Sequence, residues 1–379
     1  MQELSGKTAS QISWIGGLQA FLLVFVSVLS GPLYDAGYLN TLNRLGNLLV
    51  VFGLMMTSLC TEYWQVMLAQ GAVTGVGTGL LFVPATALLP QYFAKRRNLA
   101  ATIAAAGSGF GEDRIRLCGS EFLKLTRLPG GLIYPIIFRE VQRSMGFGWA
   151  VRIVAFVALV LGLASVLTAR TRAPARPMRE LLDPAVFRDV PVLFFAVACF
   201  AAFAGLYIPA YYIGIHELSL GGSEDMAFYL VAIMQAGSLL GRIGPGYFAD
   251  RTGPLNMFIA ACFSAGILVF CWIAIENTAG MVVFAALYGT AFGLAMAMAA
   301  MCVLSLIKGQ MARFGTTLGM CLLLSSPGIL IGAPIAGAAL KRSNDFTDVQ
   351  SFSGSMIMFA GLCACAARIW SVGFAVRKI

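Results

Sequence analysis

Apolar residues fall into long runs at roughly 11–33, 40–60, 66–92, 148–168, 191–214, 226–248, 255–275, 280–306, 314–340 and 351–372. Each run carries few charges and is long enough to cross a bilayer as a helix, which takes about 20 residues. Glycine and proline recur inside the runs, as they do in membrane helices. The pattern predicts an all-α, polytopic membrane protein with ten clear spans.

Residues 98–141 break the pattern. The apolar pieces 98–111 and 131–141 are each too short to cross, and 112–130 between them is densely charged. Lipid-exposed irregular backbone is not tolerated at that depth. Joined directly, the two pieces make one ordinary span, the eleventh. The segment 112–130 is expected to be an interruption of a single helix, as a translated intron or other gene-model error would leave. The alternative is an insertion looping out of a broken helix.

Composition agrees. The chain has 379 residues, 59% hydrophobic and 11% charged, against roughly 25% charged in soluble proteins. The net charge of +9 follows from basic loops, so membrane topology explains it and nucleic acid is not an expected partner. Arg44, Lys95–Arg97, the arginines of 170–188, Arg251, Lys308, Arg313, Arg377 and Lys378 fall on one side, which is assigned to the cytosol together with the C-terminus. Trp14, Trp64, Trp149 and Trp272 then lie near the outer face, as an aromatic belt. The nine cysteines show no CxxC pair or metal spacing and read as small apolar fillers. No cleavable signal peptide is expected, since a full-length span begins at Ser10. No cofactor is expected.

The proline- and arginine-rich stretch 169–190 divides the chain into an N-terminal bundle, 1–168, and a C-terminal six-helix bundle, 191–379. The halves echo each other. Gly31, Asp35 and Gly37 follow the first span; Gly246, Asp250, Arg251 and Gly253 follow the second span of the later half. Parallel halves with a binding site at their interface are an architecture of transporters.

The G-x-x-x-D-(R/K)-x-G loop resembles the signature of the major facilitator superfamily. ISWIGGLQAFLL, LCTEYWQVMLAQG, GFGWAVRI, GLYIPAYYI and LLGRIGPGYFADRTGPLN resemble its fungal monocarboxylate porter-like branch. The likeness covers nearly the whole chain except 112–130. The earlier loop copy has Ala36 at the basic position and its glycine one place early. The family has twelve spans, and its first is expected to be absent here, through a late gene-model start or a real truncation. The resemblance implies a secondary transporter of small carboxylates or related metabolites, often by proton symport, in a membrane that is more readily the plasma membrane than the vacuolar one.

Chemistry concentrates in Gln235–Leu255, QAGSLLGRIGPGYFADRTGPL. Arg242 lies eight residues before Asp250, about 12 Å along a helix. An ionisable group inside a bilayer costs at least about 2.5 kcal/mol, so it marks a substrate or ion path unless it snorkels to the edge. The resemblance places Arg242 at the family's helix-eight arginine, a partner for a substrate carboxylate that stays charged and binds bidentately. Ser238 stands where animal relatives hold an aspartate. No Asp or Glu lies mid-span outside 112–130, so proton coupling requires the absent helix or a loop group, or the protein is a facilitator. Glu217 is placed at or near an outer loop, and His216 in an outer loop as an exposed polar residue.

Gln19, Asn47, Gln70, Gln235 and Ser238 are the remaining polar span residues, either lining the path or bonding between helices. Tyr207 and Tyr211 share a helix face beside Pro209 and either line a cavity or pack. Gly31, Asp35, Gly246, Asp250, Arg251 and Gly253 are assigned to gating at cytosolic helix ends. Gly75, Gly77 and Gly79 match a nucleotide loop only superficially and are read as close helix packing. The residue set for an integral-membrane enzyme is missing. The reading is a transporter whose partners are a small solute, the lipid bilayer and, where coupling exists, a proton. The alternative is a non-transporting sensor or decayed paralogue.

Overall fold

The computed structural model describes residues 9–92, 141–169, 184–243, 252–307, 311–343 and 345–372. Helices are α1 (Ala9–Asp35), α2 (Leu39–Thr57), α3 (Tyr63–Val66), α4 (Gly75–Tyr92), α5 (Phe147–Thr168), α6 (Val190–Leu206), α7 (Ile208–Ser219), α8 (Glu224–Ile243), α9 (Pro254–Trp272), α10 (Thr278–Leu306), α11 (Met311–Ser343) and α12 (Phe346–Val372). A π-helical segment, Met67–Thr74, joins α3 to α4, so these three pieces form one rod. The α6 and α7 helices meet at Tyr207 in the same way.

Among the described residues, eight of these rods are long and apolar enough to cross a membrane. The expected spans around α2 and α8 form helices of 19 and 20 residues. The proposed join across 98–141 lies outside the described residues, apart from a helical turn at 141–145.

Hydroxyl groups inside the spans turn back on the helix, as they must where no water is available. Ser27 donates to the Val24 carbonyl at 2.6 Å and Thr57 to the Gly53 carbonyl at 2.7 Å. The polar residues of α2 do the same work between helices. Asn47 donates to Asn43 Oδ1 at 2.8 Å, and Ser165 of α5 donates to that oxygen at 3.2 Å.

Two bundles result. In the first, α1 and α2 pack on the α3–α4 rod, and α5 packs on α2. Gly75 and Gly79 face α1 and Gly77 faces α2, so the GVGTG stretch is a helix-packing element. In the second, one apolar core runs through α6 to α12. Its tightest seam is reciprocal. Cβ atoms at Gly237 and Gly241 of α8 would overlap carbonyls of α10; at Gly289 and Gly293 they would overlap carbonyls of Met234 and Ser238. Small residues at i, i+4 let helix backbones touch, which is how membrane helices gain packing without a hydrophobic drive between them. The bundles join mainly through α1 against α11.

The two signature-loop glycines are conformationally equivalent. Gly37 has φ 91° and Gly253 has φ 90°, the left-handed region that glycine alone enters cheaply. Gly37 follows α1 and precedes α2; Gly253 directly precedes α9, whose first residue is Pro254. The shifted position of the earlier glycine therefore still serves the turn.

Candidate substrate site between the two bundles

Tyr207 stands where α6 passes into α7, with φ −83° and ψ −16°. Pro209, near the start of α7, has no N–H to give the helical ladder, so the backbone is re-aimed here. The Tyr207 ring meets Phe203 at 6.3 Å and Phe292 at 5.5 Å, both edge to face. Its hydroxyl approaches Met296 Sδ at 4.0 Å. Arg242 lies in the last turn of α8, the helix that packs on α7. Arg242 is half-buried, as are Tyr207 and Tyr211.

This group sits against the other bundle. Val24, Phe203 and Ile329 form a small apolar cluster with Ala20, Leu23, Tyr207, Met296 and Leu322. It therefore draws on α1 of the first bundle and on α6, α10 and α11 of the second. One turn along α7, Tyr211 lies over Gly16 of α1, where a Cβ would come within 2.8 Å of its ring. Tyr212 is buried; its hydroxyl donates to the Ala333 carbonyl at 2.9 Å and lies 3.5 Å from Ser13 Oγ.

The structure thus brings Tyr207 and Tyr211 to the bundle interface, with Arg242 on the neighbouring helix α8. Gln235 is exposed on α8, two turns from Arg242 and on the same helix face. Ser238 is buried instead in the seam with α10, its carbonyl opposite Gly293. Gln19 and Gln70 are half-buried, Gln19 with its backbone against Gly75. Of the gating residues, Gly31 lies in α1 opposite Val83 of α4, and Gly253 shapes the turn before α9. Asp35 closes α1; its side chain lies outside the described set, as do Gly246, Asp250 and Arg251.

Two expectations need correction. Trp272 is not in an interfacial belt: it is fully buried, stacked on Phe284 at 5.1 Å, and its Nε1–H donates to His216 Nδ1 at 3.0 Å. His216 is correspondingly buried, with its ring 4.6 Å from Phe346, because it still belongs to α7 rather than to a loop. Glu217 is buried too, accepting a hydrogen bond from Thr278 Oγ1 at 2.7 Å, and its Oε2 meets no donor among the described residues.

Sequence reading also missed a charged contact between bundles. Arg143 pairs with Asp225 in the first turn of α8, both about half exposed. Opposite charges in two loops expected on one face were the available signal.

An all-helical protein with, among the described residues, eight rods long and apolar enough to cross a membrane has the architecture of a multi-pass membrane protein. The family model of the Major Facilitator Superfamily matches residues 1–112 and 129–333, and the chain belongs to that superfamily. It is 36% identical over 364 residues to the MFS-type transporter dbaD of Emericella nidulans, covering 95% of this chain and 78% of that one. It is 37% identical to the aspyridones efflux protein apdF of the same organism, covering 97% and 72%. The agnestins efflux protein AgnL12 of Paecilomyces divaricatus is 34% identical, covering 97% and 80%. Among solved structures, the nucleoside transporter NupG has TM-score 0.67 at 14% identity, covering 96% of this chain and 91% of NupG. The Escherichia coli fucose:proton symporter FucP has TM-score 0.61 at 12% identity, covering 95% and 92%; both share the fold.

Proposed function

We propose that this transporter moves a small organic solute bearing a carboxylate or similar anionic group across the membrane by alternating access. The observation that supports this is a charged residue, Arg242, in the last turn of α8, the helix packed on α7, next to the α6–α7 junction where Tyr207 joins an apolar cluster shared by both bundles. An ionisable group within a membrane span marks a substrate or ion path by default, and a guanidinium presents a planar fork to a carboxylate. Residues 1–168 and 191–379 act as the two moving bundles, joined by a cytosolic linker at 169–190. The gap in the family match at 113–128 supports reading 112–130 as an interruption of one helix.

With the basic loops and the C-terminus in the cytosol, Ser13, Tyr212 and the Arg143–Asp225 pair lie at the outer end. Their contacts across the bundles make this the outward-closed state. The family branch is that of fungal monocarboxylate porter-like proteins, and the relatives named as efflux proteins favour export at the plasma membrane over uptake. Proton symport is what the resemblance implies; it requires a titratable group in the absent helix or in a loop, and without one the protein is a facilitator. The test is export by secretory vesicles or whole cells expressing the chain, with metabolite profiles compared between wild type and Arg242→Ala. Loss of export at normal membrane delivery supports the anchor; undiminished export refutes it.

A further inference from the structure

The last turn of α7 carries two adjacent titratable residues, and each holds the corner between α9 and α10. His216 Nδ1 accepts the Nε1–H of Trp272, the last residue of α9, at 3.0 Å. Glu217 Oε1 accepts the hydroxyl of Thr278, the first residue of α10, at 2.7 Å. Phe346 of α12 tilts against the imidazole at 4.6 Å, and a Cβ at Gly222 would overlap the Glu217 carboxyl. Because an indole N–H donates to it, Nδ1 carries no proton, and the ring is the neutral tautomer protonated at Nε2. A proton arriving at Nδ1 would set two donors face to face and leave a buried indole N–H without its acceptor, which is costly. His216 keeps 7% of its surface exposed, against 0% for Glu217 and Trp272, so the imidazole is the member that solvent protons reach. Imidazole is also the side chain that ordinarily titrates near about pH 6.5. The charges facing the ring are Glu217 on α7 and Asp345 in the turn before α12. At the same end α8 and α11 present Glu224, Asp225, Lys341 and Arg342, all exposed, while α9 and α10 present Trp272 and Thr278, which do not titrate.

One turn before His216, and on the same face of α7, Tyr212 reaches Ala333 of α11 and Ser13 of α1. The helix end held at the α9–α10 corner is therefore the one that carries a link between the bundles. We propose that His216 is an acid-released clasp. A proton taken up at Nδ1 breaks the bond with Trp272, frees the last turn of α7 from the α9–α10 corner, and loosens the Tyr212 contact with α1. Opening of the bundles at this end is thereby regulated by pH. That this end faces outward rests on the topology proposed above; the clasp itself does not.

The test is hydrogen–deuterium exchange of the purified full chain in lipid nanodiscs at about pH 7.5 and about pH 5, either side of the ordinary imidazole value. Rates are corrected for the intrinsic pH dependence of exchange. Both faces see the same pH there, so the result does not depend on which end is outer. In wild type, the end of α7 and the α9–α10 corner should exchange about fivefold faster at the lower pH, the change that one lost hydrogen bond brings. The α1 segment around Ser13 should follow. His216→Asn keeps an acceptor near the Nδ1 position and does not titrate, so its protection should be the same at both values. Trp272→Phe removes the donor and should exchange at the faster rate at both. Glu217→Gln and Asp345→Asn should keep the wild-type response. Each variant is compared with itself across pH, so a general loss of stability cancels. Wild-type exchange unaffected by pH, or an acid response persisting in His216→Asn or Trp272→Phe, overturns the clasp. A response abolished by Glu217→Gln or Asp345→Asn overturns its assignment to His216. A response at α7 with the Ser13 segment unmoved overturns the coupling to the bundles.

Discussion

Tyr212 of α7 donates its phenolic hydrogen to the carbonyl of Ala333 in α11, 2.9 Å away, with Ser13 of α1 at 3.5 Å. One buried side chain so ties both bundles together at one end. A net hydrogen bond contributes about 1 kcal/mol. Tyr212→Phe should lower stability by roughly that amount and speed thiol labelling of a cysteine placed at Ser13, measured on membranes without solute. Unchanged labelling would mean the contact does not restrain opening.

The Arg143–Asp225 pair is half exposed, and exposed pairs are worth only about 0–1 kcal/mol. Asp225→Asn should therefore leave thermal stability nearly unchanged. Asp225→Arg should put two like charges across the bundle interface and slow turnover, and adding Arg143→Asp should restore it. Transport by the single and double variants decides whether the pair acts across the bundles.

The reciprocal glycine seam positions the site, because Ser238 and Arg242 lie one turn apart on α8. A Cβ at Gly293 would overlap the Ser238 carbonyl. Backbone carbonyls cannot rotate away as a flexible side chain can, so Gly293→Ala should cost about 1–3 kcal/mol, the range for overpacking. The same change at Gly146, where nothing lies near, meets no neighbour; its cost comes from φ 85° alone. Unfolding midpoints of the two variants should separate packing from backbone strain.

Asp345 starts the turn into α12. Its Oδ1 accepts the Thr347 N–H at 3.1 Å and the Thr347 hydroxyl at 3.0 Å. The Thr347 amide, then its hydroxyl, hold the carboxyl below its ordinary range. A depressed carboxyl stabilises the folded state fully above its unfolded value and loses that contribution as pH falls through its folded one. Asp345→Asn should lower stability at neutral pH by the carboxylate's contribution and so flatten the acid limb of the stability profile, the two proteins converging at low pH. An unchanged acid limb would show that another group sets it.

The rods were legible because each had to be apolar along its length, and that signal needs no tertiary information. The GVGTG stretch was also legible as packing, since no strand precedes it. The placing of Tyr207 and Tyr211 against α1 was only half visible. Their types and depths could be read, but helix rotation decides which faces meet. That rotation is set by the glycine seams, and it sends Ser238 into the α8–α10 contact. Trp272 and His216 were misplaced for one common reason. Polar groups near a span end look solvent-facing, yet here they satisfy one another: the indole N–H finds the imidazole, and Thr278 finds the carboxylate. The Gly37 turn was read as a departure from the loop pattern, although its φ matches that of Gly253.

The most direct measurement is solute flux in proteoliposomes containing wild type, Arg242→Lys or Arg242→Ala at equal incorporation. The account predicts flux of an organic anion by wild type, a strong reduction with lysine because the bidentate fork is lost, and none with alanine. Equal flux from all three would contradict it.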